Sequence, residues 1–264
     1  MRIADIHAHV FPDKIAEKVA DNLGSFYDTH TAHVPFLNIL MKEEAEAGIT
    51  MVAGCSSATK PSQVAHLNDF IADCAKRTPN FIGLGSLYPT MDGWEPELER
   101  MQALGIHGIK IHPEFQQVDI DDPKAIPMYK AIAKAKLPVL FHMGDAKLTY
   151  STPERLTNLI RQVPDLIAIA AHFGGWQAWD KSYAHILPEN VYYDTSSSLM
   201  YLGKDRGQDF LEKMGPDRFL FGTDFPMWSP KKELARFLEL DLDDTTRDRI
   251  LFGNFETLFL KQEA

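Results

Sequence analysis

Short apolar runs recur along this chain, and each is followed by a longer stretch whose apolar residues return every three or four positions. The runs cover residues 3–7, 50–54, 81–86, 108–112, 138–142, 167–172, 191–195 and 219–224. Continuous apolar runs of this length read as strands buried on both faces. The stretches between them carry helical spacing: Val64, Leu67, Ile71 and Ala75 mark one face over 61–76, and 97–104 and 153–163 behave alike. Pro61, Pro123 and Pro153 stand where a helix can begin, since the first turn tolerates the missing N–H. Strands alternating with helices require a parallel sheet with helices packed outside it. Eight strands in one chain of 264 residues predict an α/β fold, a (β/α)8 TIM barrel spanning 1–264 as a single domain.

An open, doubly wound sheet is the competitor, but that fold binds its ligand on a glycine-rich first loop. Here the first run ends in His7-Ala8-His9 with no such glycines. The stretch 10–43, ahead of the second strand, is the candidate lid insertion. Its Phe11, Phe26, Tyr27, His30, His33 and Phe36 suit contact with a ligand, or equally packing on the barrel mouth.

Composition narrows the function classes. Hydrophobic residues make up 45% and charged residues 24%, enough to bury a large core. The formal net charge is −10, which argues against a nucleic-acid backbone as partner. The two cysteines, Cys55 and Cys74, are too few for a disulfide framework and read as small buried hydrophobes in a reducing compartment. No basic-then-apolar leader opens the chain, and no apolar run reaches the roughly 18 residues that span a bilayer. The expectation is a cytoplasmic protein with no membrane partner; a homo-oligomer stays open.

The strand ends carry the candidate chemistry. The first ends at His7 and His9, the fourth carries Lys110 and His112, the fifth ends at His142, the sixth at His172 and the eighth at Asp224. Residues i and i+2 of a strand share a face, so His7 and His9 can grip one ion, and His112 follows Lys110. In a parallel barrel all strand C-termini open on one face, where active sites are built. Each residue also has an ordinary reading. His142 suits a core histidine, His172 a loop cap beside Gly174-Gly175, Asp224 a turn, and Lys110 a snorkelling side chain. Taken together, those accidents would have to coincide at equivalent strand ends. Asp145 suits a bond to an imidazole or a loop role. Asp194 and Ser196–Ser198 suit hydrogen bonds to a substrate carboxylate or turns, and Trp176, Trp179, Tyr201 and Trp228 suit walls of the mouth or packing on helices.

The segments Asp5-Ile6-His7-Ala8-His9, Gly108-Ile109-Lys110-Ile111-His112-Pro113, Leu140-Phe141-His142, Ala171-His172-Phe173-Gly174-Gly175 and Phe221-Gly222-Thr223-Asp224-Phe225-Pro226, with the closing Gly253-Asn254, resemble the amidohydrolase superfamily. The similarity is to its amidohydrolase-2 branch, of metal-dependent hydrolases and aminocarboxymuconate-semialdehyde decarboxylase-like enzymes. The resemblance implies a distorted barrel with divalent metal at the strand C-termini: one or two ions, zinc first, manganese or another divalent ion as alternatives. It implies His7, His9, His142 and Asp224 as ligands, with His172 either ligating a second ion or activating substrate. Lys110 falls where some binuclear members carry a carboxylated lysine, and His112 would orient the substrate. The leading expectation is a metal-dependent hydrolase in which activated water attacks a small-molecule amide, lactone or ester, with Asp224, His172 and Lys110 catalytic. The alternative is a metal-dependent non-oxidative decarboxylase, and a third reading is a non-catalytic ligand-binding barrel.

Overall fold

In the computed structural model, which describes residues 1–261, the eight runs form one parallel sheet in sequential order. The last three residues of the span read as one domain lie outside those described. The strands are β1 (Ala4–His9), β2 (Met51–Cys55), β3 (Phe81–Ser86), β4 (Gly108–Ile111), β5 (Val139–Phe141), β6 (Ala168–Ala170), β7 (Val191–Asp194) and β8 (Phe219–Leu220). The sheet closes on itself: Phe221 and Phe225 carbonyls accept from Ile6 and His9 N–H at 3.0 and 2.7 Å, and Asp224 N–H donates to His7 O at 2.7 Å. The protein is a TIM barrel.

Inward-facing side chains fill the barrel. Ala4, Ile6, Ala53, Ile82, Leu140 and Leu220 pack there, and Phe252, Phe255 and Phe259 from the C-terminal turns join the same cluster. Asn254 fastens those turns by donating to the carbonyls of Asp217 and Phe219 at 2.8 and 2.7 Å. Lys110 pairs with Leu140, an inward position, so a lysine enters the barrel interior. The register between β1 and β2 breaks between Asp5 and Ala8. A bulge of this kind re-aims the side chains that follow it. After Ala4 and Ile6 have faced inward, it turns His7 and His9 into the mouth.

Helices α1 (Asp13–Tyr27) and α2 (Leu37–Ala47) fill most of the stretch before β2, and α3 (Val64–Arg77) follows β2 after a short turn begun by Pro61. Next come α4 (Trp94–Ala103), α5 (Pro113–Gln116), α6 (Ile126–Lys134) and α7 (Pro153–Gln162), the last begun by Pro153 at its first residue. Pro123 does not begin a helix. It lies in a turn, and Pro127 occupies the first turn of α6 instead. Among the described residues, no helix is long and apolar enough to cross a membrane.

Candidate metal centre

His7 Nε2 and His9 Nε2 lie 3.2 Å apart, and Asp224 Oδ1 stands 3.5 and 3.3 Å from them. A tetrahedral zinc ion with bonds of about 2.0–2.1 Å separates neighbouring ligand atoms by about 3.3 Å. The three atoms therefore already have the spacing of one coordination shell.

The far side of each ring decides whether those nitrogens carry lone pairs. His7 Nδ1 donates to Asp194 Oδ2 at 2.8 Å. His9 Nδ1 faces Cys55 Sγ at 3.3 Å, while that thiol donates to Ala8 O at 3.4 Å. His172 Nδ1 donates to Ser196 Oγ at 2.9 Å, because the serine hydroxyl spends its own proton on Asp194 Oδ1 at 2.6 Å. His142 reverses the pattern, donating from Nε2 to Gly144 O at 3.0 Å and presenting Nδ1 to His172 Nε2 at 3.1 Å. Partners of this kind fix the tautomer of metal-binding histidines. His7, His142 and His172 thus aim a lone pair inward, as does His9 once its proton is displaced, and the donor set fits a divalent ion.

The structure brings His7, His9 and Asp224 together, and His142 and His172 form a neighbouring pair. The His7 and His172 ring centroids are 5.1 Å apart. His142 does not join the first trio; its ligand atoms group instead with those of His112 and Glu114. Lys110 Nζ is 2.8 Å from His7 Nε2 and fully buried. His112 lies one residue past the end of β4, at the start of α5, and its Nδ1 accepts from Phe115 N–H at 3.3 Å. Its ring stacks on His142 with centroids 3.9 Å apart.

Burial sets much of the electrostatics. It lowers the pKa values of His7, His112, His142 and His172, with neighbouring cations adding to the shift, and it lowers that of Lys110. His9 goes the other way: burial pushes it down, but Cys55 and Asp224 outweigh that and lift it to about 9. Burial also pushes Asp224 up, yet His7, His9 and His172 hold its carboxyl below the ordinary range. Asp224 Oδ2 accepts from Ser197 Oγ at 2.6 Å, and Ser197 accepts from Trp228 Nε1 at 2.7 Å.

Several supporting roles differ from the sequence reading. Asp194 and Ser196 hold His7 and His172 from beneath and are fully buried, so neither reaches a substrate. Asp145 caps its own loop, accepting from Lys147 and Leu148 N–H, and the His142 ring is held by a backbone carbonyl instead. Cys55 is buried as expected, but it also backs His9. The signal was present in the sequence: Cys55 ends β2 as His9 ends β1, and the two are register partners. Trp176, Trp179, Tyr201 and Trp228 pack on one another, at centroid distances from 5.3 to 6.3 Å.

Above this floor opens a cavity of about 570 Å³. His9, His112, His142 and Asp224 reach it from below, and α1 forms one wall. Tyr27, the last residue of α1, ties that wall down: its hydroxyl meets His112 Nε2 at 3.1 Å. Nothing in the apolar pattern of 10–43 singled out this contact.

The amidohydrolase family model matches residues 4–260. The chain belongs to the amidohydrolase family. Among solved structures this amidohydrolase is similar to an uncharacterised TIM-barrel protein from Bordetella bronchiseptica, at 22% identity, 98% coverage of each chain and a TM-score of 0.76. It is also similar to a dihydroxybenzoic acid decarboxylase from Polaromonas with bound manganese and the inhibitor 2-nitroresorcinol, at 18% identity, 100% and 98% coverage and a TM-score of 0.77. A third is a probable 2-pyrone-4,6-dicarboxylic acid hydrolase from Acinetobacter baumannii with citric acid bound, at 16% identity, 98% and 99% coverage and a TM-score of 0.70. At these identities the structural likeness speaks to the fold. Family membership makes the chain an enzyme of the amidohydrolase type, and with the grouped donor atoms of the site it supports a divalent metal.

Proposed function

We propose that this amidohydrolase is a metal-dependent hydrolase of a small-molecule amide, lactone or ester, with zinc as its first-choice ion and the cytoplasm as its location. His7, His9 and Asp224 hold the ion, and His142 and His172 complete its surroundings or hold a second one. When bound, the ion polarises the substrate carbonyl and lowers the pKa of water at the site.

The position of Asp224 carries the choice of hydrolysis. Its carboxylate is ionised and stands at the ligand nitrogens of His7 and His9, 3.5 and 3.3 Å from them, and hydrolysis begins by taking a proton from water at that place. Asp224 Oδ2 receives that proton, and the Ser197–Trp228 chain keeps the carboxylate aimed. Lys110 then donates toward the oxygen on which negative charge gathers, where a donor counts most in a site shut off from water, while His172, whose Nδ1 proton is held by Ser196 Oγ, serves through its Nε2 lone pair. His112, braced between Phe115 and His142, orients the substrate from the wall. The lid role of 10–43 belongs to α1, which covers the cavity and is pinned through Tyr27.

Decarboxylation is the second reading, favoured by the fold shared with the manganese-bound dihydroxybenzoic acid decarboxylase. Reaction in oxygen-18 water separates the two. Label in the product with no carbon dioxide released supports hydrolysis; carbon dioxide with unlabelled product overturns it in favour of decarboxylation.

A further inference from the structure

Helix α1 carries two apolar faces where a surface helix ordinarily carries one. Ala16 and Ala20 are its buried residues and meet the barrel. Ile15, Val19, Leu23 and Phe26, spaced four, four and three apart, line the cavity instead. Two of them stay open to it, Ile15 at 41% and Phe26 at 44% of full exposure. Large side chains left uncovered in a concave site mark a surface kept for an apolar ligand. Phe115 and Met227 also line the cavity.

The charges along this cavity are few. Lys14 is the only lysine among the described lining residues and no arginine is present; Asp224 is the only carboxylate, and it belongs to the floor. Asn22, Ser57, Thr59, Ser62, Gln63 and His66 also line the cavity, so the apolar lining gathers mainly on the α1 face. A second anionic group laid against Ile15, Val19, Leu23 and Phe26 would lose water without gaining a partner there, which is costly. The volume is within the range that encloses a drug-sized molecule, so it has room for more than the group that reacts.

We propose that the substrate is polar at one end only: its reacting group reaches the histidine floor, and a hydrocarbon tail, aliphatic or aromatic, lies along Ile15, Val19, Leu23 and Phe26. This rests on the metal-dependent reading for the anchored end, whereas the tail rests on the α1 wall alone. Alkyl hydroxamates, which chelate metal through one end, test both parts. Titration of the zinc-loaded full chain with acetohydroxamate through octanohydroxamate should tighten binding about three- to fourfold per methylene, the value of hydrocarbon leaving water. Suberic monohydroxamate, of octanohydroxamate's length but ending in a carboxylate, should gain nothing from its chain. Leu23→Glu should flatten the series.

The same series on the metal-stripped chain separates the two claims. A methylene slope that appears there without any gain on zinc loading would support the tail and contradict the metal anchor. A flat series in both forms, or suberic monohydroxamate matching octanohydroxamate, would overturn the tail.

Discussion

Asp194→Asn isolates the hydrogen bonds beneath the histidines without touching the ligand shell. The carboxylate is fully buried and accepts from four donors: His7 Nδ1 at 2.8 Å, His172 N–H at 2.8 Å, Ser196 N–H at 3.0 Å and Ser196 Oγ at 2.6 Å. An amide has one oxygen to accept with, and its NH2 faces donors on the other side. At least one buried donor is left without a partner, which costs about 1–3 kcal/mol. That is a fraction of the roughly 5–15 kcal/mol that holds a typical protein folded, so the barrel survives. The histidine suffers more. His7 escapes the clash by moving its proton to Nε2, and that removes the lone pair that faces Asp224 and His9. Loss of such a supporting bond weakens metal binding about 10–100-fold. Competition against a chromophoric chelator, with near-ultraviolet circular dichroism to confirm the fold, reads the effect. Unchanged affinity in a folded variant would refute the claim that Asp194 sets the His7 tautomer.

Two further outcomes follow from the same geometry. Because His9 is raised to about 9, an ion must displace its proton at neutral pH; apparent affinity should climb about tenfold per pH unit and level off above about 9. Calorimetry in buffers of different ionisation enthalpy counts that proton, and binding that does not respond to pH would contradict the assignment. Next to the site, one residue before Cys55, a Cβ on Gly54 would run into the Phe81 ring, so Gly54→Ala must displace a buried ring. Overpacking of this kind costs about 1–3 kcal/mol, visible as a lower urea midpoint, and an unchanged midpoint would show that the ring has room.

Much of this was legible in the chain because burial on both faces leaves a continuous apolar run. The third strand matches its run from Phe81 to Ser86, and α7 begins at Pro153 as its missing N–H allows. Strand ends were less legible, and at the mouth they matter most. The apolar pattern extends to Asp224, but the ladder from β7 stops at Leu220; the chain then crosses to β1 by isolated bonds. His172 likewise lies beyond β6, in a left-handed turn at φ 61° stabilised by Asp194. Apolarity reports burial, not where backbone pairing ceases. The bulge before His7 left no mark at all, since one extra residue in a strand changes direction without changing composition.

The supporting residues divide on the same principle. Lys110 and the histidines announced themselves as polar groups at the ends of apolar runs. Tyr27 was named only for its aromatic ring and Glu114 not at all, because their bonds to His112 and Ser151 join segments far apart in sequence.

The central claim is that strand ends distant in sequence build one metal centre. Metal content per chain, by inductively coupled plasma mass spectrometry, tests it most directly when wild type is compared with His7→Ala/His9→Ala. The account predicts at least one tightly held divalent ion per wild-type chain and loss of that ion in a variant that keeps its barrel circular dichroism. A folded double variant that holds the same metal stoichiometry would contradict it.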